Sequence, residues 1–107
     1  MTDFIAIARR CLQPLAERGF TFWDESLCRG EVRLECRRGD LQIRVSYEPC
    51  GPPWCDLHRG GRYERRLEVV AAAPSDFTES FFQTHEQELE VWCMTLLKKL
   101  EDEKIVA

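Results

Sequence analysis

The stretch EVRLECRRGDLQIRVSYE, Glu31 to Glu48, decides the fold class. Val32, Leu34 and Cys36 alternate with Glu31, Arg33, Glu35 and Arg37. Beyond Gly39-Asp40, Leu41, Ile43, Val45 and Tyr47 alternate with Gln42, Arg44, Ser46 and Glu48. Successive side chains of a strand point to opposite faces, so each run has one apolar and one charged face. Two such runs around a glycine-containing turn predict an antiparallel hairpin with one solvated side. With Gly39-Asp40 as the turn, Cys36 opposes Ile43, Leu34 opposes Val45 and Glu35 opposes Arg44. A turn on Arg38-Gly39 instead sets Arg33 against Arg44, and like charges directly opposite destabilise. Glycine also suits the first position of a type II′ turn. Both arguments favour the Gly39-Asp40 register.

A lone hairpin is marginal in water, so its apolar face needs a cover. The two amphipathic ends of the chain supply it. Phe4, Ile5, Ala8, Cys11, Leu12 and Leu15 recur at helical steps. Thr2 is the expected cap, and Asp3 suits the positive end of the helix dipole. Pro14 predicts a kink or break near Gln13, and Gly19 a left-handed stop. Phe20 and Phe22 then alternate with Thr21 and Trp23 as a first strand, with a turn over Glu25 to Gly30. Cys50 to Gly61 holds two prolines and three glycines and predicts an irregular loop. Arg65 to Ala73 is β-like and would be a fourth strand, either paired with the third or capping the sheet edge. Ser75 would cap a short helix through Phe81-Phe82. Thr84 and Gln87 have the spacing of a capping box. The stripe Leu89, Trp92, Cys93, Leu96, Leu97 and Leu100 predicts a helix over Glu86 to Glu103, or one running from Asp76.

The expected fold is α+β over a single domain, residues 1–107. An N-terminal helix, an antiparallel meander of three to four strands and a long C-terminal helix follow in order, with both helices on one sheet face. The expected core is Phe4, Ile5, Ala8, Leu12, Leu15, Phe20, Phe22, Val32, Leu34, Cys36, Ile43, Val45, Leu67, Val69, Leu89, Trp92, Cys93, Leu96 and Leu100.

Composition agrees with that. The chain has 107 residues, 44% hydrophobic and 32% charged, enough for one core without metal or cross-links. The apolar run Val69 to Ala73, not exceeded elsewhere in the chain, is far short of a membrane span. Asp3 comes early and Arg9-Arg10 follow the apolar residues, the reverse of a secretory signal, so a cytoplasmic location is expected. The net charge of −4 argues against general nucleic-acid affinity. The charge is uneven: residues 67–107, with three lysines and nine acidic residues, carry −6, and residues 1–66 carry +2. That pattern reads as a solvated helix surface. The six cysteines read as free thiols in such a compartment. Cys11, Cys36 and Cys93 fall in apolar phase and read as core.

Three groups of residues could carry chemistry. Cys50-x4-Cys55-x2-His58 offers zinc-type ligands from one loop, with Cys28, His85 or Asp56 as a possible fourth. Zinc knuckles normally come in pairs, and there is no second pair here, so metal-free thiols or a Cys50–Cys55 disulfide compete with that reading. A Cys55/His85 nucleophile pair has no supporting context. Arg59 to Arg66 joins arginines, glycines and Tyr63 and could hold a single-stranded nucleic acid through stacking. In an acidic protein, a plain connection fits it better. The third group is the solvated sheet face and the Trp54 loop. Trp23, Arg33, Arg44, Trp54 and Tyr63 are of the types that dominate protein interfaces. Nothing resembles paired acids in a cleft or an activated nucleophile, so no enzyme activity and no cofactor are expected.

Leu15-Ala16-Glu17-Arg18-Gly19-Phe20 leads from helix to sheet. With the element order and size, it resembles small single-domain bacterial proteins, including toxin-neutralising immunity proteins. The resemblance implies a non-enzymatic domain that binds another protein. A homodimer through an open sheet edge is a further expectation.

Overall fold

Asp3 opens the first helix. Its side chain accepts a hydrogen bond from the Ala6 N–H at 3.1 Å. The cap is therefore Asp3 rather than Thr2, one residue later than the sequence suggests. The computed structural model describes residues 3–27, 30–48, 52–69 and 86–106. Helix α1 spans Phe4–Cys11 and α2 spans Gln13–Glu17, with Leu12 between them and Pro14 in the first turn of α2. Proline lacks an N–H, and a first turn has no use for one, so the break falls there. Gly19 follows at φ 91°, and the Phe20 N–H returns to the Leu15 carbonyl at 3.0 Å. This left-handed stop turns the chain into the sheet.

The sheet has five antiparallel strands in sequence order: β1 Thr21–Ser26, β2 Val32–Arg38, β3 Leu41–Tyr47, β4 Trp54–Arg59 and β5 Arg62–Leu67. The β2–β3 register pairs Cys36 with Ile43, Leu34 with Val45 and Glu35 with Arg44, as the charge argument requires. Gly39 has φ 61° and Asp40 does not share the positive φ, the pattern of a type II′ turn.

Three strand expectations need correcting. The meander has five strands rather than three to four. The extra one, β4, lies inside the stretch assigned to an irregular loop. Pro52 and Pro53 precede it, and Gly60 and Gly61 form the turn after it, at φ 59° and 81°. The breakers therefore flank a strand and do not interrupt one. Strand β1 also runs on through Ser26, into the expected turn. The last strand begins earlier than read and ends at Leu67. The expected residues 70–73 of that strand, the short helix near Phe81-Phe82 and the Thr84 cap lie outside the described residues.

Helix α3, Glu86–Asp102, completes the fold. It closes with Lys104 at φ 57°, the Lys104 N–H on the Glu101 carbonyl and the Ile105 N–H on the Leu100 carbonyl. That is a Schellman stop with lysine where glycine is commoner. It folds Val106 back into the core.

One core joins the helices to one sheet face. Leu34, Cys36, Ile43, Val45, Cys55 and Leu57 from the strands are buried with Phe4, Ala8, Leu12, Leu15, Leu89, Trp92, Cys93, Leu96 and Leu100. The Phe4 ring stacks on Tyr47, with centroids 4.9 Å apart. Ion pairs tie the rim: Arg9 to Asp24, Arg10 to Glu90, Arg18 to Glu101 and Arg65 to Glu103. Ile5, Phe22, Val32 and Val69, read as core, are only partly buried against it, as is Cys11. Ile7, Cys55, Leu57 and Val106 are core residues that the periodicity did not single out, and Leu41 and Tyr47, in apolar phase on β3 but outside the expected core, are buried as well.

Candidate functional site

Strand alternation builds the second sheet face in three rows. Arg33, Ser46 and Trp54 lie side by side, beyond Glu25. The next row is Trp23, Glu35, Arg44, Asp56 and Arg66. The third is Thr21, Arg37, Gln42, His58 and Tyr63. The five expected interface residues, Trp23, Arg33, Arg44, Trp54 and Tyr63, thus share one face. Trp54 is corrected from loop to strand, where it is the first residue of β4.

Glu35 is the hub of this face. It is only 5% exposed, on the sheet face turned away from the described helices. Arg37 donates to one carboxylate oxygen at 2.6 Å, and Arg44 Nε donates to the other at 2.9 Å. The Gln42 amide donates to the same oxygen as Arg44, at 3.4 Å. The carbonyl end of Gln42 accepts the Gly61 N–H at 3.2 Å, linking the hub to the β4–β5 turn. Burial opposes ionisation of Glu35, but the hydrogen bonds from Arg44 and Arg37 outweigh it and hold its pKa below the usual carboxylate range. Asp56 repeats the device. Arg66 grips both its oxygens, at 2.8 and 3.3 Å, the bidentate geometry that gives Arg–carboxylate pairs their specificity.

The same arginines cover the indoles. The Arg37 guanidinium carbon lies 5.0 Å from the centre of the Trp23 ring, and that of Arg66 lies 5.8 Å from Trp54. Each cation therefore spans a carboxylate and an aromatic face. Trp23 remains 46% exposed and Tyr63 56%. The Tyr63 ring meets His58 edge to face at 5.7 Å. Burial, then the nearby Arg44, hold the His58 pKa below its ordinary value. No family model matches the sequence, and no curated protein or solved structure matches the chain.

Among the described residues, the remaining expected site residues do not converge. Cys55 is fully buried on the helix-covered face, and burial pushes its thiol pKa up. His58, three residues on, belongs to the opposite face, so one ion cannot take both from this strand. Cys50, Cys28 and His85 lie outside the described residues. Among the described residues, no three His, Cys, Asp or Glu side chains gather closely enough to hold a metal. Arg59 to Arg66 is a hairpin whose Arg59, Arg65 and Arg66 bind Glu64, Glu103 and Asp56. A shallow depression of about 310 Å³ lies between this turn and Gly39-Asp40. Its Gly60 and Gly61 N–H groups are taken by the Asp40 carbonyl and Gln42, leaving no nest for an anion.

Sequence reasoning missed Arg37 and Arg66 as covers of the tryptophans and Glu35 as a buried hub. The signal existed. Arg37 stands two residues from Glu35 on one strand, on the same face, and Trp23 becomes their neighbour once β1 is paired. No helix of the described residues is long and apolar enough to cross a membrane.

Proposed function

We propose that this chain is a small non-enzymatic protein-binding domain of the inhibitor or toxin-immunity kind, acting in the bacterial cytoplasm. Its partner meets the face bearing Trp23, Arg33, Arg44, Trp54 and Tyr63. One observation carries the reading: exposed aromatic rings stand among arginines already held in place by Glu35 and Asp56. Ordering rotamer-rich side chains on binding costs about 0.5–1.5 kcal/mol each. Here much of that ordering precedes contact. Trp, Tyr and Arg are the residues that most often dominate binding energy.

The test compares wild type with a Trp23→Ala, Tyr63→Ala double variant as immobilised bait in a native cell extract. Both side chains are about half exposed, so stability should change by less than about 1 kcal/mol. A protein captured by wild type should be lost from the variant, with unchanged circular dichroism. Identical captured sets would set this face aside.

Self-association has its own observation. Strand β5 carries Arg62, Glu64, Arg65 and Arg66, and its register with β4 shifts at Leu57/His58. Charges and bulges of this kind blunt an edge. Strand β1 pairs with β2 in unbroken register, and its two charges, Asp24 and Glu25, are paired with Arg9 and Arg33. Its outer edge is the one a second copy would extend. Sedimentation over a concentration series should then show a dimer, and one monomeric species throughout would remove this second reading.

A further inference from the structure

The helical layer carries two free cysteines on helices that pack against each other. Cys11 ends α1, and Cys93 lies in the middle of α3, one turn beyond Glu90. The Cys11 sulfur approaches the Glu90 backbone carbonyl at 3.9 Å, while Arg10 binds the Glu90 carboxylate at 3.3 Å. These contacts hold the end of α1 against that turn of α3. Cys93, three residues beyond Glu90, stands on the same stretch of helix surface, one turn from the carbonyl that Cys11 approaches. Cys93 is fully buried and Cys11 only partly so. A small oxidant therefore reaches the pair through Cys11.

We propose that Cys11 and Cys93 form an oxidation site, at which a hydroperoxide converts the two thiols to a disulfide joining α1 to α3. In the first step the Cys11 thiolate attacks an oxygen of the hydroperoxide. The O–O bond breaks, and the departing oxygen takes a proton and leaves as water or an alcohol. Cys11 is oxidised by two electrons to a sulfenic acid. In the second step Cys93 gives up its proton and its sulfur attacks the Cys11 sulfur. The S–O bond breaks, and the hydroxide leaves with that proton as water. Two thiols and one hydroperoxide give one disulfide, one water, and one further water or alcohol.

The electrostatics suit that division of roles. The neighbouring Cys93 thiol, helped by Arg10 against burial and Glu90, lowers the Cys11 pKa to about 7. In return Cys11, together with burial, pushes Cys93 up. Cys11 is then the nucleophile near neutral pH, and Cys93 waits as a thiol. Once Cys11 is a neutral sulfenic acid, its charge no longer opposes ionisation of Cys93. Burial pushes Cys36 up to about 12 and raises Cys55 as well, which keeps both inert.

The test treats wild-type protein with hydrogen peroxide, alkylates the remaining thiols and maps the digested peptides by mass spectrometry. The expected product links the Cys11 peptide to the Cys93 peptide, and dithiothreitol reverses it. In Cys93→Ala, Cys11 should instead accumulate as a sulfenic acid trapped by dimedone. Alkylation of reduced wild-type Cys11 should reach half its maximal rate near pH 7. Cys11 remaining a thiol under peroxide, or passing to sulfinic acid without linking to Cys93, would overturn the proposal. The wild-type map decides this even where a variant folds poorly.

Discussion

Leu96→Ala is expected to lower the unfolding free energy by about 2–5 kcal/mol, the range for emptying a fully buried leucine site. Leu96 has no exposed surface and sits in the α3 stripe that meets the sheet face. The loss combines transfer of the missing carbons with the cavity that stays behind. Most small domains have only about 5–15 kcal/mol in total, so the variant should unfold at distinctly lower urea. Met94 offers the control on the same helix. It is 57% exposed, and Met94→Ala should change stability by no more than about 0.5 kcal/mol. Equal urea midpoints for the two variants would mean that α3 does not cover the sheet as described.

The second large effect concerns Glu35. Glu35→Gln should cost about 2 kcal/mol at neutral pH. The amide turns an N–H toward Arg37 or Arg44, where a carboxylate oxygen now accepts. Both arginines reach solvent and can rehydrate, so the loss falls short of the roughly 3–5 kcal/mol seen when a fully buried pair is broken. Gln42 is buried and cannot turn away. The effect must depend on pH. The folded pKa of Glu35 is depressed, so the folded state holds its proton less tightly than the unfolded chain. The contribution is complete above the ordinary glutamate pKa of about 4.3. It disappears as pH falls through the depressed folded value. Urea midpoints of wild type and Glu35→Gln should therefore lie well apart at neutral pH and converge in strong acid. A gap that stays constant would show that Glu35 acts through packing and not through charge.

The sequence carries much of the fold because its strongest signals are local. Alternation over Glu31 to Glu48 and one charge argument were enough for the β2–β3 register. Pro14 and Gly19 mark where α2 starts and stops, since each acts on its own backbone. Strand β4 was harder. Its six residues sit between a proline pair and a glycine pair, and composition counted over Cys50 to Gly61 hides the alternation of Trp54, Asp56 and His58 with Cys55 and Leu57. That error carried into the metal reading, because ligands that share a loop can converge and ligands that alternate on a strand cannot. The expected interface residues were legible as types. Their arrangement was not, because the cover over Glu35 comes from two strands and the cover over Trp54 from a third. Cys11 likewise reads as an ordinary core position until α3 brings Cys93 to it.

The chain order of the two layers has a consequence during synthesis. Every strand of the sheet emerges from the ribosome before α3 does. Neighbouring strands form hairpins quickly, whereas the contacts of α3 with α1 join residues nearly the whole chain apart. Until translation passes residue 100, Ile43, Val45, Cys55 and Leu57 have only part of their roof. A nascent chain stalled short of α3 would expose a broad greasy sheet, the kind of surface that chaperones bind and that otherwise aggregates.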